Sequence, residues 1–564
     1  MKKQGFIFGS MILITSVFIT KIIGLVFKIP LANILGGTGM GYFSCAYAIF
    51  MPVYAISVTG LPTAVSRMVA ENMAFERYTN VRKIRRVAIL GFSAVGLLAA
   101  LLIVILAKPF TIYIGNSAAF PAIIAIAPCV LFGAALSVYR GYYEGLHNMI
   151  PTALSQIIES VVKLIAGLGF AYLALLYART SYTDTGILFD KSYNTLQEAE
   201  VAALPFIAAA AIAGVTLSTV VSFLYLFFKY RFSGDGITKE MLLKDKSTDR
   251  MRSLLKALFL TVIPIAAGSV VTNLTSLIDL ATIIRSLSKT ILASPEYFSE
   301  KFKGVLDGSD GLLQLPNFIY GSFTGLALTI FNLVPSMTGM FGKGILPSLA
   351  ESWAKSDHKR TQRSINSVIS MTSLVAFPSA LGIFILAKPI LLLLFSSRTH
   401  EVEAVSQSMA VLGIGVLFLS LSISVFTIFQ AIGRADLPVK IMFFGVAIKL
   451  SGNILLMRIP EINVTGAAIS TTVCYAVIAI MSLCLLKKIT RAKLKIANAF
   501  IKPMFGSLLC IATARLTYDF LFIRLGNSLS VLSAVATGGA VYLISLVLMN
   551  ISAVKEIKMS FFGK

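Results

Sequence analysis

The charged side chains that stand within or at the ends of apolar runs in this sequence include Lys21, Lys28, Lys163, Lys449, Arg515, Glu159 and Asp279. A charge at the centre of a bilayer costs about 2.5–3.5 kcal/mol on insertion scales, so each needs a partner or a task. Lys21 and Lys28 are seven residues apart, about two helical turns, and so project from one face. Two ammonium groups placed that way suit a multivalent anion such as pyrophosphate. Gly24 lies between them and Pro30 follows, so the helix end has places to bend; Pro264, in a later apolar run, is a third hinge candidate. Lys163 lies roughly 18 Å beyond Pro151, too deep for easy snorkelling, and Lys449 is similarly placed after Pro438. Glu159 precedes Lys163 by four residues, in the favoured Glu-to-Lys helical order, so Lys163 either pairs there or faces a cavity. Lys449 has no acid one turn away and is expected to face a cavity. Asp279 either binds Na⁺ or a proton, or pairs with Arg285.

Enzyme chemistry finds no support. His147, His358 and His400 sit in or beside expected loops without an HExxH pattern, and no GxxxxGK[ST] loop is present. The cluster Gly36-Gly37-Thr38-Gly39-Met40-Gly41 has no preceding strand and reads as a tight turn. Cys45, Cys129, Cys474, Cys484 and Cys510 lie in apolar stretches without CxxC pairing. No catalytic residue, metal centre or organic cofactor is expected. Energy must then come from an ion gradient, with Na⁺ or H⁺ as coupling ion, or from the membrane potential, worth about 2.3 kcal/mol per charge per 100 mV.

These residues need membrane helices to position them. Of 564 residues only 13% are charged and 57% are hydrophobic, with mean hydropathy +0.86. Soluble proteins carry about 25% charged residues. That composition excludes a soluble enzyme, a fibre and a disordered chain. Apolar stretches of about 20 residues, the length that crosses about 30 Å of hydrocarbon, recur throughout. Their continuity argues against barrel strands. The reading is an all-α polytopic membrane protein with about 14 transmembrane helices, at about 6–29, 42–66, 87–107, 120–140, 152–177, 201–228, 255–280, 316–341, 366–387, 405–430, 438–457, 465–486, 499–518 and 528–550. The first is read as a retained helix, since no small-residue cleavage site follows it. Loops and span ends on one side hold 33 Lys/Arg and 11 Asp/Glu, against 11 and 12 opposite. This bias puts both termini in the cytoplasm. It also explains clusters such as Arg82-Lys83-Ile84-Arg85-Arg86 as retention signals touching lipid headgroups rather than nucleic acid.

The chain repeats itself. Ile105-Leu106-Ala107-Lys108-Pro109 recurs as Ile385-Leu386-Ala387-Lys388-Pro389, an offset of 280. Leu61-Pro62-Thr63 matches Leu346-Pro347-Ser348, Pro151 matches Pro438, and Lys163-Leu164 matches Lys449-Leu450, at offsets of 285 to 287. Six spans per half give both halves one orientation. The expectation is two six-helix lobes related by a pseudo-twofold axis along the membrane normal, plus two C-terminal helices. The domains are then 1–228, a cytoplasmic linker at 229–254 that looks like a solvated tether, 255–487, and 488–564. Such lobes suit rocking around a central cationic cavity.

Thr20-Lys21-Ile22-Ile23-Gly24-Leu25-Val26-Phe27-Lys28-Ile29-Pro30, with Gly60-Leu61-Pro62-Thr63-Ala64-Val65-Ser66-Arg67 and Tyr139-Arg140-Gly141-Tyr142-Tyr143-Glu144-Gly145, resembles the stage V sporulation protein B and MurJ-like group. That group belongs to the multidrug/oligosaccharidyl-lipid/polysaccharide exporter superfamily. The resemblance implies a fourteen-helix flippase of the bacterial cytoplasmic membrane, moving an undecaprenyl-pyrophosphate-linked cell-wall precursor such as lipid II by alternating access. The resemblance implies cationic side chains in span one, matched here by Lys21 and Lys28 with Lys in place of Arg, while the family's further cavity arginines in spans two and eight find no clear match; with Lys163 and Lys449, taken from their depth in the membrane, these are the substrate-binding candidates. It also implies an ion site at Asp279 and Asn453; Glu159, an intramembrane acid, is a separate ion-coupling candidate. Met457 stands where such a site would want another acid. Partners would be the lipid-linked oligosaccharide, membrane lipids and cell-wall synthesis proteins, with the chain itself a monomer. Alternatives are an exporter of another lipid-linked polysaccharide or teichoic-type polymer, a drug or cation antiporter of the superfamily, and a structural protein of the sporulation or division machinery.

Overall fold

The computed structural model describes residues 6–245, 249–303 and 311–549. Long apolar runs leave backbone groups no water to bond, so nearly every stretch is helical and satisfies its own N–H and C=O groups. The first helix, α1 (Phe6–Tyr54), passes through Gly36, whose φ of 59° and ψ of −173° are not helical. The chain doubles back there, bringing the Phe27 and Phe43 rings to 6.3 Å. Glycine takes that φ without a Cβ clash. A π-helical turn, Ala55–Thr59, leads into α2 (Leu61–Ala74). Then follow α3 (Tyr78–Ile114), α4 (Phe120–Gly145) and α5 (Ile150–Thr185). A two-residue hairpin pairs β1 (Ile187–Leu188) antiparallel with β2 (Lys191–Ser192), and α6 (Leu196–Ser233), α7 (Lys239–Lys244) and α8 (Met251–Ala293) continue the chain.

Beyond α8 come α9 (Pro295–Lys301), α10 (Gly311–Ser322), a second π turn at Phe323–Ala327, α11 (Leu328–Phe331), α12 (Leu333–Ala354) and α13 (His358–Ile385). The last elements are α14 (Ala387–Leu394), α15 (Thr399–Ala431), α16 (Asp436–Leu456), α17 (Thr465–Thr490), a π turn at Ala497–Ile501 and α18 (Lys502–Leu548). Like α1, α18 folds back at a glycine, Gly526 (φ 70°), so that Gly506 lies against Tyr542 and Ser545.

Among the described residues, eleven helical stretches are long and apolar enough to cross a membrane. The expected spans do not appear as fourteen separate helices. Thr15–Ala74 and Ala497–Leu548 each hold two expected spans joined by a single-glycine turn, and α8, where the seventh falls, is not among the eleven. The chain divides into two compact units, Met1–Leu280 and Ala281–Lys564.

In the first unit the segment after α6 is not a solvated tether. Arg82 of α3 grips Asp235 through Nε and Nη2 at 2.9 and 3.0 Å, and the Tyr142 hydroxyl donates to the same carboxylate at 2.9 Å. Burial pushes the Asp235 carboxyl up, but Arg82, the Ile237 amide and Tyr142 outweigh it and hold the group below the usual carboxylate range. The Asp245 carboxylate accepts from the Thr79 amide at 2.6 Å, while Asn80 and Asp249 exchange bonds of 2.8 and 3.1 Å. Asp245 binds where the first turn of α3 leaves an amide unbonded and presents a positive dipole end, whereas Asp249 is held by the Asn80 side chain. Beside them Arg85 stacks 3.7 Å over the Tyr230 ring, with Tyr139 and Tyr142 each 5.8 Å away.

In the second unit the α18 hairpin docks on α13 and α14. The Tyr542 hydroxyl donates to the Leu374 carbonyl at 2.7 Å, and Asn527, held by Tyr518, donates to the Pro389 carbonyl at 3.1 Å.

Candidate functional site

Three of the expected lysines come together in the first unit. Lys21 and Lys28 lie on α1, and Lys163 lies on α5, which packs against α1. The packing depends on Gly167, one turn after Lys163: a Cβ there would stand 2.7 Å from the Phe27 ring. The Lys163 ammonium is consequently held 5.1 Å from the Phe27 ring centroid and 5.5 Å from that of Tyr47. A ring face attracts a cation and replaces part of the hydration lost on leaving water. Those rings belong to a column, Phe27–Phe43–Tyr47–Phe50–Tyr54, with successive centroids 6.3, 4.9, 6.1 and 4.8 Å apart.

Lys28 is half-buried and lies within electrostatic reach of both Lys163 and Lys21, while Lys21 is exposed. Between the two α1 lysines, an added Cβ at Gly24 would meet nothing within 4 Å, so their shared face borders open space. Gly24 and Pro30 stay within helix, and the backbone leaves it only at Gly36. Pro264 falls inside α8, and its side chain lies outside the described residues.

Glu159 does not serve Lys163. Its Oε2 lies 2.7 Å from Nη2 of Arg140, whose Nε donates to Ser155 Oγ at 2.9 Å, and Thr219 donates to its Oε1 at 3.3 Å. Arg140 offers a planar fork that meets the carboxylate and a hydroxyl at once, whereas the Lys163 ammonium turns to the rings. The Glu159 charge is thus committed to Arg140 rather than open to a coupling ion. Sequence reading missed Arg140 because it lies at the edge of its span, and missed Phe27 and Tyr47 because aromatic residues on membrane helices are ordinary.

In the second unit Lys449 is 3% exposed and stands one turn before Asn453, which is fully buried. Asn453 donates to Thr282 Oγ1 at 2.9 Å, and Thr290 donates to the Met457 carbonyl at 2.9 Å, so the end of α8 is fastened to α16. Asp279, in the first unit, is 3% exposed. Among the described residues no group of three or more His, Cys, Asp or Glu could hold a metal ion.

Residues 7–188 match the family model described as polysaccharide biosynthesis protein, and residues 322–455 match that of MatE. The chain is 24% identical to the uncharacterized membrane protein YabM of Bacillus subtilis (strain 168), covering 98% of this chain and 94% of that protein. Two further proteins of that organism are similar end to end. Stage V sporulation protein B is 21% identical over 99% of this chain and 98% of its own length, and lipid II flippase MurJ is 22% identical over 95% and 94%. Among solved structures, lipid II flippase MurJ in an inward closed conformation superposes with a TM-score of 0.59 at 14% identity, covering 95% of this chain and 98% of that one. An inward-facing multidrug resistance MATE family transporter reaches the same TM-score, 0.59, at 12% identity over 86% and 98%. End-to-end similarity in sequence, two family models in chain order and one shared helical fold make the chain a MurJ- and stage V sporulation protein B-like protein, with the fold of the multidrug/oligosaccharidyl-lipid/polysaccharide exporter superfamily.

Proposed function

We propose that this chain is a flippase that carries an undecaprenyl-pyrophosphate-linked cell-wall precursor, of the lipid II type, across the bacterial cytoplasmic membrane by alternating access. The observation that carries the reading is the grouping of Lys21, Lys28 and Lys163 on α1 and α5. Lys28 lies within electrostatic reach of both Lys21 and Lys163, so these ammonium groups repel, and a pyrophosphate relieves that repulsion while binding as a multivalent anion. Its polyprenyl chain stays in lipid, where it costs nothing to keep. An antiporter for cationic drugs is a poorer fit, because a cation entering beside these lysines would add to the repulsion. Na⁺ or H⁺ drives the cycle.

The test is a leaflet-accessibility assay for lipid II in cells depleted of the protein. Loss of outward-exposed precursor is expected, and unchanged exposure overturns the reading. Lys21→Ala should abolish complementation while the protein stays in the membrane; full complementation would remove the lysine site.

A further inference from the structure

Arg515 is an intramembrane charge that the proposed transport does not use. Roughly 20 Å of helix separates it from Lys502 at the start of α18, which puts it within the hydrocarbon band. It lines a cavity of about 470 Å³ in the second unit, formed by α14, the adjoining ends of α13 and α15, and the first arm of α18. Lys388 and Gln407 share the wall, and Phe384, Leu392 and Phe522 supply apolar surface.

The donors in this cavity are under-used. Arg515 gives its Nε to Asp519 at 2.8 Å, and among the described residues neither of its Nη groups has a hydrogen-bond acceptor. Lys388 makes only a loose 3.5 Å ion pair with Glu403, and the Gln407 carboxamide has no hydrogen bond to the described residues. At the edge of hydrocarbon, unmet donors are costly. A phosphodiester oxygen accepts from all three, and an attached acyl chain fits the Phe384, Leu392 and Phe522 side.

We propose that this cavity binds one anionic phospholipid, its phosphate between Lys388 and Arg515 and its headgroup bonded to Gln407. A choline headgroup would bring a third cation beside two existing ones, with Glu403 and Asp519 already engaged, so the anionic class is preferred. On the topology expected from the charge count the lipid comes from the outer leaflet.

The test is native mass spectrometry of the full chain released from nanodiscs of phosphatidylglycerol and phosphatidylcholine in equal amounts. The expected result is one phosphatidylglycerol retained by the wild type in excess over phosphatidylcholine. Affinity for it should fall about tenfold or more in a Lys388→Gln/Arg515→Gln variant, as loss of charge-assisted bonds implies. Leu392→Trp keeps every charge but fills the cavity, and should lose the same lipid while remaining monodisperse. Equal retention of the two lipids, or retention of phosphatidylglycerol by either variant at the wild-type level, overturns the proposal. So does displacement of phosphatidylglycerol by equimolar undecaprenyl phosphate, which would give the cavity to a polyprenyl chain instead.

Discussion

Arg140 near the end of α4 holds Glu159 on α5 at 2.7 Å, with Ser155 and Thr219 completing the bonds around the pair. Both side chains are largely buried, so each is the other's compensation for lost hydration. With Glu159 engaged, Lys163 has no carboxylate partner among the described residues, only the Phe27 and Tyr47 rings, and its positive charge makes the first unit's site cationic.

Breaking that pair should cost more than removing it. Arg140→Ala strands the Glu159 carboxylate in a buried position and is expected to destabilise by about 3 kcal/mol. Arg140→Met with Glu159→Leu removes both charges and should recover most of that loss. Thermal unfolding in detergent of the two single variants and the double variant measures this as a coupling energy. Simple addition of the single effects would mean that the two groups are not coupled.

The ring cage makes a second prediction. Lys163→Met keeps the length and apolar stem of the side chain, so melting temperature should change little, while precursor export falls at least tenfold. Tyr47→Leu removes one ring from the ammonium and should weaken export less, by a fold-change matching about 0.5–2 kcal/mol. Export by Lys163→Met at the wild-type rate would show that the ammonium serves only packing.

Composition and hydropathy made the helical membrane fold legible, since no other architecture satisfies the backbone of such continuous apolar runs. The lysines were legible too, because a charge within a span stands out against its neighbours. What pairs with what was not. The i to i+4 spacing of Glu159 and Lys163 named a plausible partner, yet an arginine from another helix took the carboxylate. Helix spacing reports only neighbours on one helix, whereas Arg140 reaches Glu159 through packing of α4 with α5. The linker was misread for a related reason: its charge density looks solvated, but Asp235, Asp245 and Asp249 meet the start of α3, a partner distant in sequence. The turns at Gly36 and Gly526 are so short that each joins two spans with hardly a break in helix.

Gly141, inside the Tyr139–Gly145 motif, lies where a Cβ would come within 2.5 Å of the Pro62 carbonyl oxygen. Backbone cannot yield as a flexible side chain does, so α4 and α2 should be forced apart. Gly141→Val is expected to destabilise by about 1–3 kcal/mol or more and to lower the amount of folded protein extracted from membranes. Gly169→Ala, where a Cβ would meet nothing within 4 Å, is the control and should behave as wild type. An unaffected Gly141→Val would mean that the close approach does not govern packing.

The Asp235 clamp gives a pH prediction whose sign is fixed. Its carboxyl titrates below the usual carboxylate range in the folded chain, so the clamp contributes fully above the unfolded value of about 3.9 and is lost as pH falls through the lower folded value. The Ile237 amide, which donates to Asp235 Oδ1 at 3.0 Å, reports on it by hydrogen exchange. After correction for the intrinsic rate, its protection should stay constant from about pH 5 to 8 and drop only under strongly acidic conditions. Asp235→Asn keeps the shape but not the charge and should lose about 2 kcal/mol of local protection at neutral pH, the difference between a charged and a weakened bond to Arg82. Protection in that variant equal to wild type would show that the segment after α6 is held by something other than this carboxylate.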